Sequence, residues 1–134
     1  MQTQDPQAVV EEFFRRVGTA EDVAEIAEMI SDDVDWLVAG DTSVVPWIGH
    51  RTSKAAVAEC YALLRAQTAS EHFELTDMLV KGNRVVVLGA LATRVLRTGK
   101  LIETEIAANI IVEHGRIKSF HLLEDSFNVA WACT

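Results

Sequence analysis

Three short polar turns, each holding a glycine, constrain this 134-residue chain more than any other feature: Lys81-Gly82-Asn83-Arg84, Arg97-Thr98-Gly99-Lys100 and Glu113-His114-Gly115-Arg116. Glycine takes positive φ at low steric cost, so each turn can close a hairpin. The apolar runs between them, 71–80, 85–96, 101–112 and 117 to about 125, therefore read as four strands of an antiparallel meander. These strands are longer than the usual five or six residues, and Gly89 sits inside one of them. A mid-strand glycine marks a bulge or a sharp bend. Long, bent strands curve into a cone whose concave side must be filled.

The N-terminal half supplies the filling. Asp5-Pro6 is a helix start, and Val9, Val10, Phe13, Phe14 and Val17 follow at helical spacing, with Glu11, Glu12, Arg15 and Arg16 on the other face. Gly18 ends this helix. A second covers 21–30 and stops at Ser31-Asp32-Asp33, and a short strand follows at 34–38. The segment 39–51, with Pro46-Trp47-Ile48-Gly49-His50-Arg51, reads as a long loop. Thr52 or Ser53 caps a third helix to about residue 66, with Val57, Cys60, Tyr61 and Leu64 inward. The expected fold is α+β: one domain over 1–134, a cone-shaped curved antiparallel sheet with three N-terminal helices packed on its concave face.

Composition narrows the partners. The formal net charge of −8 argues against nucleic acid, which needs a basic face. No apolar run is long enough to cross a membrane, and the polar, charge-interrupted start carries no secretion signal. With only Cys60 and Cys133, no disulfide framework is expected, and a cytoplasmic location with free thiols is the expectation. The four histidines show no metal-ligand spacing and no glycine-rich phosphate loop is present, so neither metal nor cofactor is expected. Val85-Val86-Val87-Leu88 and Ile110-Ile111-Val112 are apolar on both faces of their strands. The helices cover one face, so a second copy covering the other predicts a homodimer through the outer sheet face.

The order helix-helix-strand-loop-helix-meander resembles the nuclear transport factor two-like superfamily, and within it the SnoaL-like polyketide cyclase and ketosteroid isomerase group. Ser31-Asp32-Asp33-Val34-Asp35-Trp36, Trp47-Ile48-Gly49-His50-Arg51 and Glu113-His114-Gly115-Arg116-Ile117 carry the resemblance. It implies a pocket inside the cone, but this frame hosts isomerases, cyclases, dehydratases, epoxide hydrolases and non-catalytic modules. Laid on the steroid isomerases by element order, their tyrosine falls on Phe14. Their shuttling carboxylate falls on Trp36 or Val38, and their protonated acid on Ala107. The Asp-Arg-Asp set of limonene epoxide hydrolases falls on Gly89, Leu91 and Leu122. Neither catalytic set is present.

The register implied by the isomerases points Glu105, Ala107, Asn109 and Ile111 into the cone, together with Phe120, Leu122 and Glu124. Glu105 and Asn109 are then the first polar pair to consider, as base and oxyanion donor, or as a solvated carboxylate and a satisfied core amide. Asp35 is a second candidate base, or part of a solvated acidic turn. His121, beside Asp125 on the other strand face, becomes catalytic only if the register shifts by one. Phe14, Trp36, Trp47, Tyr61, Phe120, Leu122 and Glu124 are the expected ligand-binding residues. The expected function is a pocket for a small apolar molecule. It belongs to a cofactor-independent isomerase, cyclase or dehydratase acting by general acid-base catalysis on a carbonyl or polycyclic compound. Alternatively, it is a binding module for a hydrophobic metabolite, or a structural dimer with a filled cone.

Overall fold

The computed structural model describes residues 5–134; the chain's polar start, 1–4, lies outside them. Helix α1 (Pro6–Thr19) starts as its sequence dictates, with the Asp5 side chain accepting the Gln7 N–H and proline in the first turn. Asp22 caps α2 (Val23–Ala27) and Ser53 caps α3 (Lys54–Gln67) in the same way. Six strands follow the chain as β1 (Ile30–Val38), β2 (Gly49–Arg51), β3 (Thr68–Lys81), β4 (Arg84–Val95), β5 (Leu101–Glu113) and β6 (Arg116–Leu123). They form one curved, unclosed sheet in the order β2-β1-β6-β5-β4-β3. The four long strands are the expected meander. β1 lies parallel to β6, so the sheet as a whole is mixed.

Three local expectations are corrected. The second helix ends at Ala27, not residue 30, because Ile30 is wholly buried and paired with Ile117, whose N–H is bonded to the Met29 carbonyl at 2.8 Å. The end of the expected loop is strand β2, where Gly49, His50 and Arg51 pair with Val38, Leu37 and Trp36. The last strand stops at Leu123, and Asp125 caps a fourth helix, α4 (Ser126–Ala132). Val129, Ala132 and Cys133 are buried, so α4 closes one end of the concave side. No helix among the described residues is long and apolar enough to cross a membrane.

The hairpin between β5 and β6 turns on His114 and Gly115, both at positive φ, as a two-residue turn matched to strand twist requires. Gly89 has the bending role its position suggested. The β3–β4 register shifts between Leu75 and Asp77, opposite it, and a Cβ there would lie 2.2 Å from the Glu74 carbonyl oxygen. Only glycine lets the two backbones approach so closely.

Strand parity fixes which side chains meet the helices. Val85 and Val87 on β4, with Ile102, Ile106, Ala108, Ile110 and Val112 on β5, are buried on the concave face. Phe13 of α1 is the hub, fully buried, with its ring within 6.3 Å of Phe14, Trp36, Tyr61 and Phe120. Trp36 of β1 lies flat on Phe120 of β6, centroids 4.1 Å apart. The parallel β1–β6 pairing makes that stack, since Trp36 and Phe120 are direct neighbours in the ladder. Burial of such rings dominates the stability of a core this size.

Candidate active site

Beyond the aromatic cluster the concave side is not filled. A cavity of about 390 Å³ remains between the sheet and the helices, within the range of small-molecule sites. Trp36 and Val38 of β1, Trp47 of the preceding loop to β2, and Cys60 and Tyr61 of α3 form one wall. Phe120, Leu122 and Glu124 come from the end of β6, and Leu91, Ile102 and Ile106 from the sheet floor. Val129 of α4 contributes the end wall. Gly18, Arg65, Ser70 and Phe73 are lining residues that are also exposed, so the cavity opens between the ends of α1 and α3 and the start of β3.

All seven residues expected to bind a ligand line this cavity: Phe14, Trp36, Trp47, Tyr61, Phe120, Leu122 and Glu124. The four expected to be catalytic do not. On β5, Glu105 and Asn109 point to the outer face and are exposed, and Ala107 lies on that face with them; Ile106 and Ala108 face inward. The correction is one of parity. The alternation Ile102, Ile106, Ala108, Ile110 against Glu103, Glu105, Asn109 buries the even-numbered side chains, because a carboxylate on the inner face would lie unpaired among apolar groups. Asn109 instead accepts a hydrogen bond from Arg84 Nη1 at 2.5 Å, also on the outer face.

Asp35 and His121 meet on the outer face as well. His50 Nε2 lies 2.9 Å from one Asp35 oxygen and His121 Nε2 lies 3.0 Å from the other. The hydrogen bond from His50, and after it that from His121, holds the Asp35 carboxyl below the usual carboxylate range. About half of the Asp35 and His50 side-chain surfaces is open to solvent, so the cluster is a surface network facing away from the cavity. Among the described residues no group of three or more histidine, cysteine or acidic side chains is placed to hold a metal ion.

Inside the cavity the chemistry falls to Glu124. Phe120, Leu122 and Glu124 share the inward parity of β6, and the strand carries the carboxyl to the junction with α4. Burial alone pushes Glu124 up to about 7, against an ordinary 4.5. It forms none of the protein's ion pairs among the described residues. Its charge is felt by the Cys60 thiol, which burial pushes up to about 12. Cys60 is therefore an unreactive wall, not a nucleophile. Burial also raises Tyr61 well above the usual phenol range. The phenol is thus a hydrogen-bond donor that stays protonated. Two enclosed polar atoms have no partner among the described residues, Trp36 Nε1 and Arg51 Nε. Both are wholly occluded, so they report tight packing around the aromatic stack and under the loop.

Residues 10–120 match the model of the SnoaL-like domain family. The chain belongs to this family. Its architecture agrees in full with solved structures of the wider fold. An NTF2-like protein from Burkholderia xenovorans LB400 superposes with a TM-score of 0.87 at 23% identity, over 100% of this chain and 99% of that one. TerC, crystallised with polyporic acid, reaches 0.80 at 16% identity, over 96% and 97%. A protein of ketosteroid isomerase-like fold from Catenulispora acidiphila, in complex with trimethylamine, reaches 0.70 at 11%, over 86% and 83%. No curated protein matches the chain. SnoaL-like members include polyketide cyclases and isomerases. At these identities the structural likeness speaks for the shared cone and not for a shared reaction.

Proposed function

We propose that the cavity is the active site of a cofactor-independent enzyme that moves a proton on a small, mostly apolar carbonyl compound, as an isomerase, cyclase or dehydratase does. One observation carries this reading: a carboxyl raised to about 7 by burial, with no ion-pair partner among the described residues, inside an aromatic-lined cavity. Such a group is poised to take a proton and return it near neutral pH, where a solvated glutamate is too weak a base. Glu124 is the base and then the acid. The Tyr61 hydroxyl donates to the oxygen on which negative charge develops. Trp36, Trp47, Phe14 and Phe120 hold the apolar body. The cocrystals of two fold relatives with polyporic acid and with trimethylamine support a ligand of small-molecule size.

Glu105, Asn109, Asp35 and His121 lie on the outer face, so this chemistry does not use them. That face is the surface we infer to be shared between two copies of the chain. Leu79, Leu88 and Leu123 are exposed on it, and no described part of the chain covers them.

Exchange of the acidic hydrogens of tetralone into deuterated water, followed by NMR, tests the enzyme reading. The wild-type chain should accelerate exchange. Glu124→Gln should lower the rate by roughly a hundredfold or more, and Tyr61→Phe by about tenfold to a hundredfold, with tetralone binding retained in both. Equal exchange with the wild type and Glu124→Gln, with binding intact, would leave a pocket that binds without catalysing.

A further inference from the structure

Glu124 is the one acidic side chain that lines the cavity, and Arg65 is the one basic side chain. The strand ladder sets them at different ends. Glu124 follows Leu123, whose partner on β5 is Ala107, so it lies near Ile106. The opening lies over Ser70 and Thr93, which stand in register with Ile102. Ile102 and Ile106 are separated by roughly 13 Å of extended strand. Between the two ends the walls from Phe14, Leu91, Ile102, Ile106 and Phe120 are apolar.

Arg65 sits in the last turn of α3, just before β3 begins. Its guanidinium is held in place by two carbonyls: Nη1 donates to Glu21 at 3.4 Å and Nη2 to Val17 at 3.1 Å. Carbonyls orient the group without cancelling its charge, and it forms no ion pair among the described residues. Glu71, the acid next to Ser70, is already engaged by Arg94 through both oxygens, at 2.8 and 3.1 Å. The Arg65 charge is felt inside the cavity: burial raises the Tyr61 phenol, and Arg65 acts on it in the opposite sense.

Ser70 and Thr93 add two hydroxyls beside this cation. They are direct partners in the β3–β4 ladder, so both point to one face, that of the buried Ile102. Thr68 spends its hydroxyl on the Leu64 carbonyl at 2.6 Å. Those of Ser70 and Thr93 have no protein partner among the described residues, and both line the cavity. An oriented guanidinium of uncancelled charge, next to two such hydroxyls, has the donors a carboxylate needs.

We infer that the substrate is an acid: its carboxylate binds Arg65, Ser70 and Thr93 at the opening, its carbonyl end lies at Glu124, and its rings span the apolar walls between. This rests on the reading of the cavity as a site of proton transfer and adds the substrate class, an aromatic or polycyclic keto acid. Arg65 is then the residue that sets specificity. The chain's net charge of −8 works against an anion, so the gain must be read against a neutral isostere.

Four probes are titrated into the full chain and followed by quenching of Trp36 and Trp47: tetralone, its carboxylate and carboxamide para to the ketone, and its ortho carboxylate. The para acid should bind about fivefold more tightly than the para amide at low salt, as a partly exposed charge-assisted contact allows. The ortho acid should gain nothing, because it cannot reach the opening while its ketone is at Glu124. Arg65→Gln should make the para acid and amide equal, and Ser70→Ala with Thr93→Val should weaken the acid several-fold. Both should leave tetralone binding unchanged. An amide that binds the wild type as tightly as the acid overturns the proposal, as does a preference for the acid that survives Arg65→Gln. An equal gain for the ortho acid overturns the end-to-end placement. Failure of the wild-type chain to bind or exchange tetralone overturns instead the reading beneath it.

Discussion

Glu124 links the chemistry of the site to the stability of the molecule, because the same burial governs both. Its native-state carboxyl is raised to about 7 from 4.5, so the folded chain keeps a proton that the unfolded chain releases. The contribution is complete below about pH 4.5, is lost as pH rises toward 7, and levels off beyond. Glu124→Gln removes this dependence. The variant should match the wild type near pH 4.5 and exceed it at pH 8 by up to about 3 kcal/mol, less whatever solvent reaches the carboxyl. Urea titrations at the two pH values measure the difference; a difference that is the same at both would sink the assignment. Gly89 is the second residue whose environment decides its identity. A methyl group there meets the backbone oxygen of Glu74, which cannot move aside as a side chain can. Gly89→Ala should cost about 2–3 kcal/mol in a urea melt. Its mid-strand position was legible in the sequence, whereas Glu124 was legible as a lining residue but not as the proton carrier. Nothing in the sequence around it states how much water reaches a carboxyl at the end of β6.

At the scale of elements, the turns and long strands could be read because their signals are local: a glycine at a tight turn, a helical stripe, a cap. The face of β5 was also written in its sequence, in the alternation of Ile102, Ile106, Ala108 and Ile110 with Glu103, Glu105 and Asn109. The register borrowed from a distant resemblance pointed the other way, and the alternation is the better guide because it reflects burial directly. Helix α4 escaped for a different reason. Seven residues are too short to show periodicity, and its stability comes from contacts distant in sequence. Asp125 Oδ1 accepts the Asn128 N–H at 3.1 Å, and Asn128 Oδ1 accepts the Glu103 N–H at 2.9 Å. The Arg97 guanidinium donates to the Cys133 carbonyl, tying the helix end to the turn before β5. Asp125→Ala should therefore fray α4 by about 1 kcal/mol. Cys133, buried at the end of that helix, is the reporter. Its labelling by a thiol reagent should quicken several-fold while Cys60, buried in the cavity wall, stays slow. Equal acceleration of both thiols would mean global loosening, not fraying of α4.

The whole molecule has two faces with different requirements. The concave face is satisfied within one chain, with helices and aromatic core on most of it and a ligand-sized space in the rest. The outer face is not. Val86, Leu88 and Ala90 of β4 stand beside Ala107 and Asn109 of β5, and beyond them Leu123 and His121 of β6. Small alanines in the middle and larger leucines at the margins leave an apolar surface on which a second sheet can lie. Polar groups interrupt this surface, with Arg84 bonded to Asn109, Glu105 exposed on β5, and Asp35, His50 and His121 clustered toward β1 and β2. A two-fold axis through such a face brings each residue near its own copy or near a fixed partner, and these polar groups then set the orientation. A stable pair needs roughly 800 Å² from each partner, and a six-stranded sheet offers an area of that order. The chain should accordingly sediment as a dimer at about 10 μM, well above the dissociation constant expected of an interface that size. Leu88→Glu places a charge among the apolar residues without touching the core, since Leu88 is exposed in the single chain. It should shift the population to monomer and leave the far-ultraviolet spectrum unchanged. Tetralone binding should also persist, because Leu88 lies on the face of the sheet opposite the cavity. A wild-type chain that sediments as a monomer at that concentration would remove the need for a partner and leave the outer face as solvated surface.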